Sequence, residues 1–217
     1  MTQWVENPTG GRDRGPAALA RAWLEVLTSP QRFFERGIAP GDQAPGLVFA
    51  MTVVLLEETT RFALVPGAAP SIGGRPALAA LFGLALATVF VAPAALHLTG
   101  ALQTVLLMAT VRDRAGTSET VQVIAYATAP CVFAGIPSPT LRAVCAAYGA
   151  VLFFMGLRTV HETTTLRALL AGAVPAAIVF GYAFRGFAAL GEVVVWTASE
   201  VCLRVPEVGA RVCLPLV

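Results

Sequence analysis

The stretch ALAALFGLALATVFVAPAAL, residues 77–96, contains no charged side chain. An α-helix needs about 20 apolar residues to cross the roughly 30 Å hydrocarbon core of a bilayer, and this stretch has that length. A second uncharged stretch, ALLAGAVPAAIVFGYAF, covers residues 168–184 and ends at Arg185. The two stretches predict an all-α protein that is embedded in a membrane.

The composition of the whole chain agrees with a membrane environment. Of its 217 residues, 56% are apolar and only 13% are charged, and the mean hydropathy is +0.72. A soluble domain carries about 25% charged residues, so these charges are too few to coat a globule in water. The net charge of +2 and the lack of a basic patch with aromatic residues argue against nucleic-acid binding.

Turn-forming sequences divide the chain into five predicted transmembrane helices. Proline and glycine in VPGAAPSIGGRP and GIPSP end the helices on either side of them. The predicted spans are 44–64, 77–110, 120–136, 141–157 and 166–190. The second is longer than a bilayer requires, which predicts a tilt, a kink at Pro93 or an extension beyond the membrane.

The residues before the first span predict a tail followed by an amphipathic helix. In QRFFERG, Phe33 and Phe34 lie beside Arg32 and Arg36. Aromatic residues next to arginines on a short amphipathic segment favour a position in the headgroup region. The alternative is a helix that packs on the bundle. The predicted architecture is therefore a five-helix transmembrane bundle preceded by an amphipathic interfacial helix.

The placement of arginines predicts the orientation. One set of connections carries more arginines than the other, and that set is expected to be cytoplasmic. The richer set contains Arg12, Arg14, Arg21, Arg32, Arg36, Arg112, Arg114, Arg158 and Arg167, and the poorer set contains Arg75, Arg142, Arg185, Arg204 and Arg211. We expect a multi-pass protein of the cell membrane with a cytoplasmic N-terminus and an external C-terminus.

Glu57, Glu58 and Arg61 form the main candidate site in the first span. Their spacing is i,i+4 and i,i+3, so both carboxylates can reach one guanidinium group. Charges inside a membrane are costly and therefore avoid lipid. The structural interpretation is an internal ion pair near the outer end of the span, and it is favoured over a proton or ion relay.

The histidines and cysteines do not have the spacing of a metal site, and no metal or other cofactor is predicted. His97 falls in the second span and His161 in a connection predicted to be cytoplasmic. Cys202 and Cys213 both fall in the C-terminal tail, where a disulfide would persist outside the cell. Sequence alone does not fix their separation, so the bridged and free forms both stay open.

The chain contains no catalytic motif and no pair of catalytic carboxylates. The sequence therefore predicts a protein that is not an enzyme and has neither catalytic nor cofactor-binding residues. Prolines within the predicted spans could break helices around a transport path, but prolines are also ordinary in membrane helices.

The run ETVQVIAYATAPCVFAGIPSP at residues 119–139, followed by Tyr148 and MGLRTVH, resembles the Yip1-domain family. The family pattern has a tyrosine soon followed by a proline, a proline at the next turn and a glycine near the end of the fourth span. Tyr126, Pro130, Pro137 and Gly156 match these places, and His161 follows. The segment VLTSPQRFFERGIAP also resembles prokaryotic members, especially haloarchaeal ones, which implies an archaeal source.

The resemblance implies five closely packed spans, a cytoplasmic N-terminus and a role in membrane trafficking. The expected domains are a cytoplasmic tail with amphipathic segment (1–43), a five-span domain (44–190) and an external or surface-lying tail (191–217). The first hypothesis is a scaffold that organises membranes, forms vesicles or recruits proteins. Its expected partners are the lipid bilayer, a small GTPase or other membrane proteins, and copies of itself. The second is a small transporter or channel subunit that uses Glu57, Glu58, Arg61 and His97 around a polar cavity.

Overall fold

The structure is a computed structural model that describes residues 5–6, 12–13, 15–71, 74–200, 202–204 and 211–213, with side chains for 15–71 and 74–195. Helices make up most of this part of the chain. The helices are α1 (Pro16–Thr28), α2 (Pro30–Arg36), α3 (Ala44–Leu64), α4 (Pro76–Leu86), α5 (Ala92–Thr110), α6 (Thr117–Ala127), α7 (Pro139–Val160), α8 (Thr165–Ala176) and α9 (Gly186–Glu200).

Three shorter helical segments join some of these helices. A first π-helical segment (Ala87–Val91) links α4 to α5, and a second (Ala177–Ala183) continues α8. A 3-10 segment (Ala129–Phe133) follows α6. Two short antiparallel ladders occur near the chain ends, β1 (Val5–Glu6) with β2 (Arg12–Asp13) and β3 (Cys202–Arg204) with β4 (Arg211–Cys213).

Helix α6 lies at the centre of the bundle. Every residue from 120 to 131 is buried, and α3, α5 and α7 pack around the helix. Tyr126 of α6 contacts the rings of Phe33 and Phe49 edge to face, with centroids 4.8 and 5.0 Å apart. The core of the protein therefore forms around one short helix that its neighbours separate from the surroundings.

Three helices in the described part are long and apolar enough to cross a membrane. These are Pro76–Thr110, Pro139–Val160 and Thr165–Ala183. The first has 35 residues, a length of about 52 Å, which exceeds a bilayer core and fits the predicted tilt or extension. The helix predicted over 44–64 is present with those bounds, but five crossings are not established by these features.

The third and fifth predicted spans are interrupted. Instead of one helix over 120–136, α6 ends at Ala127 and a 3-10 segment follows, because Pro130 has no N–H to continue the α-helical pattern. Instead of one helix over 166–190, the chain turns at Arg185, whose φ of 57° is left-handed. Helix α9 then continues to Glu200, so the boundary predicted at residue 190 lies inside a helix.

The N-terminal helix pair, α1 and α2, packs on the bundle. Phe33 and Phe34 are each only 2% exposed, and the ring of Phe34 lies next to Gly156 of α7. This is the packed alternative to the interfacial position that the sequence favoured. The expectation that these aromatic residues face the headgroups is wrong, because the central helix offers them a better apolar site.

Candidate functional site

Two acidic and two basic side chains form an ion-pair cluster, which we define as Glu57, Glu58, Arg61 and Arg185. Arg61 donates to Glu58 Oε2 from Nε at 2.9 Å and from one terminal nitrogen at 2.6 Å. Arg185 pairs with Glu57, and its other terminal nitrogen lies 3.4 Å from Glu58 Oε1. The local pair of Glu58 and Arg61 is thus confirmed, whereas Glu57 pairs with Arg185 rather than with Arg61.

The backbone around the cluster brings these residues together. The left-handed turn at Arg185 separates the second π-helical segment from α9 and directs the arginine toward α3. A Cβ atom at Gly135 would collide with the backbone carbonyl oxygen of Glu57 and lie 3.0 Å from the backbone nitrogen of Arg61. The turn after the 3-10 segment is therefore in close backbone contact with the helix that carries both glutamates.

Sequence reasoning missed Arg185 as a member of the cluster. The arginine was counted among those on the external side. Its contact with Glu58 was missed because the two residues are 127 apart in the chain and no local spacing links them. A signal was nevertheless present, since Arg185 follows a 17-residue uncharged run (168–184). A charge in such a position needs a counter-ion, and Glu57 and Glu58 in another predicted span had only one arginine, Arg61, between them.

An inter-helix cavity of about 240 Å³ lies beside the cluster. Glu57 and Glu58 line it together with mainly apolar residues of α3, α6, the second π-helical segment and the long helix Pro76–Thr110, which we call the outer helix. Both π-helical segments contribute to the wall, through residues such as Val91 and Ile178. π-Helical turns within helices are frequent at functional sites, which makes this cavity the leading candidate for ligand binding.

His97 does not belong to this site. It is exposed on α5, where its Nδ1 lies 2.7 Å from the carbonyl oxygen of Pro93, one turn earlier. It is not among the residues that line the inter-helix cavity. The structure thus brings together Glu57, Glu58 and Arg61 from the proposed transport site, but leaves His97 outside.

His161 occupies a buried position just after α7. The backbone N–H of Ala115 donates to its Nδ1 at 3.1 Å, and its Nε2 lies 3.3 Å from the hydroxyl oxygen of Thr120. Since Nδ1 accepts, the neutral ring carries its proton on Nε2. Burial lowers the pKa of His161 from 6.5 to about 4, with Glu119 opposing and Arg114 reinforcing the shift. The residue therefore joins two connections as a neutral, structural group.

Three of the four residues of the family pattern serve packing, each in a different way. Tyr126 is in the aromatic core, and Pro130 is buried within the 3-10 segment. A Cβ on Gly156 would approach Val123 to 2.8 Å and Phe34 to 2.9 Å, so glycine allows α7 to lie close to α6 and α2. Pro137 is exposed in the turn before α7. None of the four lines the inter-helix cavity.

Hydrogen bonds attach the N-terminal segment to the bundle, and sequence reasoning did not foresee them. The Trp23 indole donates to the carbonyl of Ala129 at 2.9 Å, and the Tyr148 hydroxyl donates to the carbonyl of Leu27 at 2.6 Å. The Gln122 side chain accepts from the N–H of Ala39 at 2.9 Å and donates to its carbonyl at 2.7 Å. These bonds join residues far apart in the chain, so no local pattern signals them.

The cysteines fall into two groups. Cys131 and Cys145 are buried and free. In the ladder of β3 and β4, Cys202 is the backbone partner of Cys213, but their side chains lie outside the described residues and the disulfide stays a prediction. Across the described side chains, no group of three or more histidine, cysteine or acidic residues has the arrangement of a metal site.

Comparison with known families gives one match. The Yip1 domain model matches residues 24–185, which extends from α1 to the arginine of the ion-pair cluster. No curated protein and no solved structure matches the chain.

Proposed function

Because the chain belongs to the Yip1 domain family, we propose that this membrane protein is a multi-pass, non-enzymatic scaffold that organises the bilayer and recruits partners through its N-terminal helix pair. Family members are in general membrane scaffold proteins rather than enzymes. A cytoplasmic N-terminus would present the pair to proteins such as a small GTPase. An external C-terminus in the cell membrane completes the proposed orientation.

The observation that carries the proposal is the rigid attachment of this helix pair. Phe33 and Phe34 anchor one face in the core, and the hydrogen bonds of Trp23 and Tyr148 fix α1 to the bundle. The opposite face stays outside, with Leu24 54% exposed and the Arg32 side chain 60% exposed. A fixed helix pair with an outward surface is suited to recruitment, because little conformational entropy is lost when a partner binds.

A second feature supports the membrane-organising part. Large apolar side chains are exposed on the outer helices, including Phe82 and Phe90 at 61% and 66%, and Leu170 at 64%. Exposed apolar surface of this extent would be unstable in water and matches contact with acyl chains. A bundle with this exposed apolar surface and a firmly attached helix pair can act on lipid packing without any catalytic step.

The test is reconstitution of the full chain into vesicles, followed by measurement of vesicle diameter and of recovery of a GTP-loaded small GTPase by flotation. Deletion of 17–37 is unsuitable, since it would remove two core aromatic residues. The double variant Leu24→Glu, Arg32→Glu changes the outward face, including the 3.3 Å ion pair of Arg32 with Glu25, and Arg112→Glu in the connection after α5 is the control. We expect loss of the vesicle effect or of recruitment in the first and retention in the second.

A variant that matches the parent in both measurements would contradict a role for the helix pair. Parent protein that neither changes vesicle diameter nor retains the GTPase would contradict the proposed function. Thermal unfolding of each variant in detergent verifies that the fold is unchanged.

The inter-helix cavity supports a second candidate, a small transporter or channel subunit. Glu57 and Glu58 line the cavity, so a transported ion or proton would encounter them. Flux into liposomes should then fall when Glu58→Gln replaces the parent, whereas Arg112→Glu should leave it unchanged. Absence of flux of protons and of common cations with the parent protein would exclude this candidate.

A further inference from the structure

The inter-helix cavity opens between two helices that can cross a membrane. From the outer helix, Pro76–Thr110, the exposed residues Val91 and Ala95 line the opening. From the other helix, Thr165–Ala183, the exposed residues Ile178 and Ala183 line it. Because both helices contribute exposed residues to the lining, the cavity is open at this side. In a bilayer, the material that meets such an opening is lipid.

Two acidic residues stand out in the lining of the cavity. Most of the lining is alanine, valine, leucine, isoleucine and phenylalanine, with the hydroxyl side chains of Thr99 and Thr128, whereas Glu57 and Glu58 are the charged lining residues. Arg61 and Arg185 bind these carboxylates and are not among the residues that line the cavity. The Arg61 and Arg185 side chains are 24% and 28% exposed, so the cluster extends from the cavity to the surface of the bundle.

We propose that the inter-helix cavity binds one phospholipid whose headgroup carries a primary ammonium. A segment of an acyl chain lies between the two π-helical segments. The ammonium donates hydrogen bonds to Glu58, and the phosphate lies outside the cavity, beside the partly exposed guanidinium groups of Arg61 and Arg185. This binding site goes beyond the proposed scaffold function and requires only that the protein is embedded in a membrane.

The charge of the cluster selects a zwitterion. Two carboxylates and two guanidinium groups leave it with no net formal charge. A ligand with a net charge would leave one charge without a partner at the edge of an apolar region, which is costly. A zwitterionic headgroup brings one positive and one negative group, and each finds an opposite charge in the cluster.

The acceptor that Glu58 provides in the cavity lining selects a headgroup that has N–H donors. Glu58 uses Oε2 for Arg61 and contacts Arg185 through Oε1, and each carboxylate oxygen can accept more than one hydrogen bond. A primary ammonium has three donors, whereas the quaternary ammonium of phosphatidylcholine has none. A charge-assisted hydrogen bond of this kind is worth about 1.5 to 3 kcal/mol, which corresponds to about tenfold or more in affinity.

The size of the cavity agrees with a single chain segment. Its volume of about 240 Å³ lies below the range of about 300 to 1,000 Å³ that is usual for pockets enclosing a drug-sized ligand. This is too small for a whole phospholipid, so the rest of the lipid must extend through the opening into the bilayer. The proposed site is therefore a lateral one, which exchanges lipid directly with the membrane.

The experiment uses the full chain in vesicles of one background composition. Each sample contains a small fraction of one photoactivatable phospholipid, either phosphatidylethanolamine, phosphatidylcholine or phosphatidylglycerol, with the reactive group on an acyl chain. After illumination, labelled peptides are quantified. We expect phosphatidylethanolamine to label the peptides that contain Val91 and Ile178 about tenfold more than the other two lipids.

Two matched variants test the location. Ala95→Trp fills the opening, and Ala94→Trp puts the same side chain on a neighbouring exposed position that does not line the cavity. Labelling by phosphatidylethanolamine should fall about tenfold in Ala95→Trp and stay at the parent level in Ala94→Trp. Glu58→Gln should reduce the preference for phosphatidylethanolamine over phosphatidylcholine, with both still labelling the same peptides.

Equal labelling by the three lipids would overturn the proposal, because it would show ordinary contact with the bilayer. Labelling that is unchanged in Ala95→Trp would overturn the assignment to this cavity. Neither result would bear on the scaffold function, which is measured by vesicle diameter and GTPase recovery with variants of α1 and α2.

Discussion

The outer helix, Pro76–Thr110, and the central helix α6 show opposite relations between hydropathy and burial. The outer helix contains the longest uncharged stretch, yet only 17% of its most apolar 18 residues are buried. Helix α6 carries Thr120 and Gln122, and both are buried. Hydropathy in this protein thus indicates which helix faces lipid, and not which helix forms the core.

The difference has a physical cause. A helix that faces acyl chains must be apolar on its whole outer surface, since lipid offers no hydrogen bonds. A helix enclosed by protein can carry polar groups if neighbours satisfy them, as His161 does for Thr120 and the Ala39 backbone does for Gln122. Loss of side chains at the two helices should therefore have different effects on stability.

The largest expected difference is between two phenylalanines. Phe33→Ala removes a ring that is 2% exposed and packs 4.8 Å from the Tyr126 ring of α6. It should lower the free energy of unfolding by about 3 to 5 kcal/mol. Phe90→Ala, on the outer helix, removes a ring that is 66% exposed and should cost about 0.5 kcal/mol or less. Denaturant titration in detergent measures both.

Similar losses for the two variants would break the comparison, because they would show that the outer helix is as tightly packed as the core. A loss of α-helical circular dichroism in Phe33→Ala before any denaturant is added would agree with the larger expected value. The vesicle-reconstituted forms provide the same comparison in lipid.

The next effect concerns pH. His161 contacts α6 through Thr120, and its pKa is lowered to about 4 in the folded protein, against 6.5 ordinarily. Between these values the unfolded chain binds a proton that the folded chain does not. The contribution of His161 to the free energy of unfolding should therefore be greatest above about pH 6.5 and decrease toward pH 4, by at most about 3 kcal/mol.

The measurement is the unfolding midpoint of parent and His161→Gln from pH 7.5 to 4.5. Glutamine retains an acceptor for the Ala115 N–H but does not titrate, so the stability of the parent relative to the variant should decrease as the pH falls from 7.5 to 4.5. His97→Gln on the outer helix is the matched control, and it should keep the pH dependence of the parent. A parent and His161→Gln with parallel profiles would show that other groups cause the acid sensitivity.

The sequence predicted those features that depend on local patterns. Prolines and uncharged runs gave α3 its bounds, and the spacing of Glu58 and Arg61 gave their ion pair. The central place of α6 was not predictable, because a short polar-containing helix has no periodic signal for complete burial. The partnership of Glu57 with Arg185 was missed for a different reason, since their proximity depends on the turn at Arg185 and on how α3 packs.

The packing of α1 and α2 illustrates a second limit. Aromatic residues beside arginines have the same pattern whether the rings enter lipid headgroups or a protein core. Phe33 and Phe34 enter the core because Gly156 leaves space for the Phe34 ring and Tyr126 contacts Phe33. The deciding residues are on other helices, so only the packed structure distinguishes the two possibilities.

The smallest expected effect compares two buried glutamines, one on each helix. Gln122 of α6 and Gln103 of α5 are both 0% exposed. Gln122 satisfies the N–H and the carbonyl of Ala39, whereas the side-chain amide of Gln103 has no hydrogen-bond partner within the described residues. Gln122→Leu leaves two backbone groups without partners and should cost about 2 kcal/mol.

Gln103→Leu should change the free energy of unfolding by less than about 1 kcal/mol, or increase it, since it replaces a buried amide that lacks partners with an apolar group of similar size. Denaturant titrations of both variants, in one detergent and at pH 7.5, give the difference. Equal destabilisation would mean that Gln103 has a partner of its own in the membrane-embedded protein. A polar group on the outer helix would then be as well satisfied by hydrogen bonds as one on the central helix. The two helices would differ only in how much of their surface is buried.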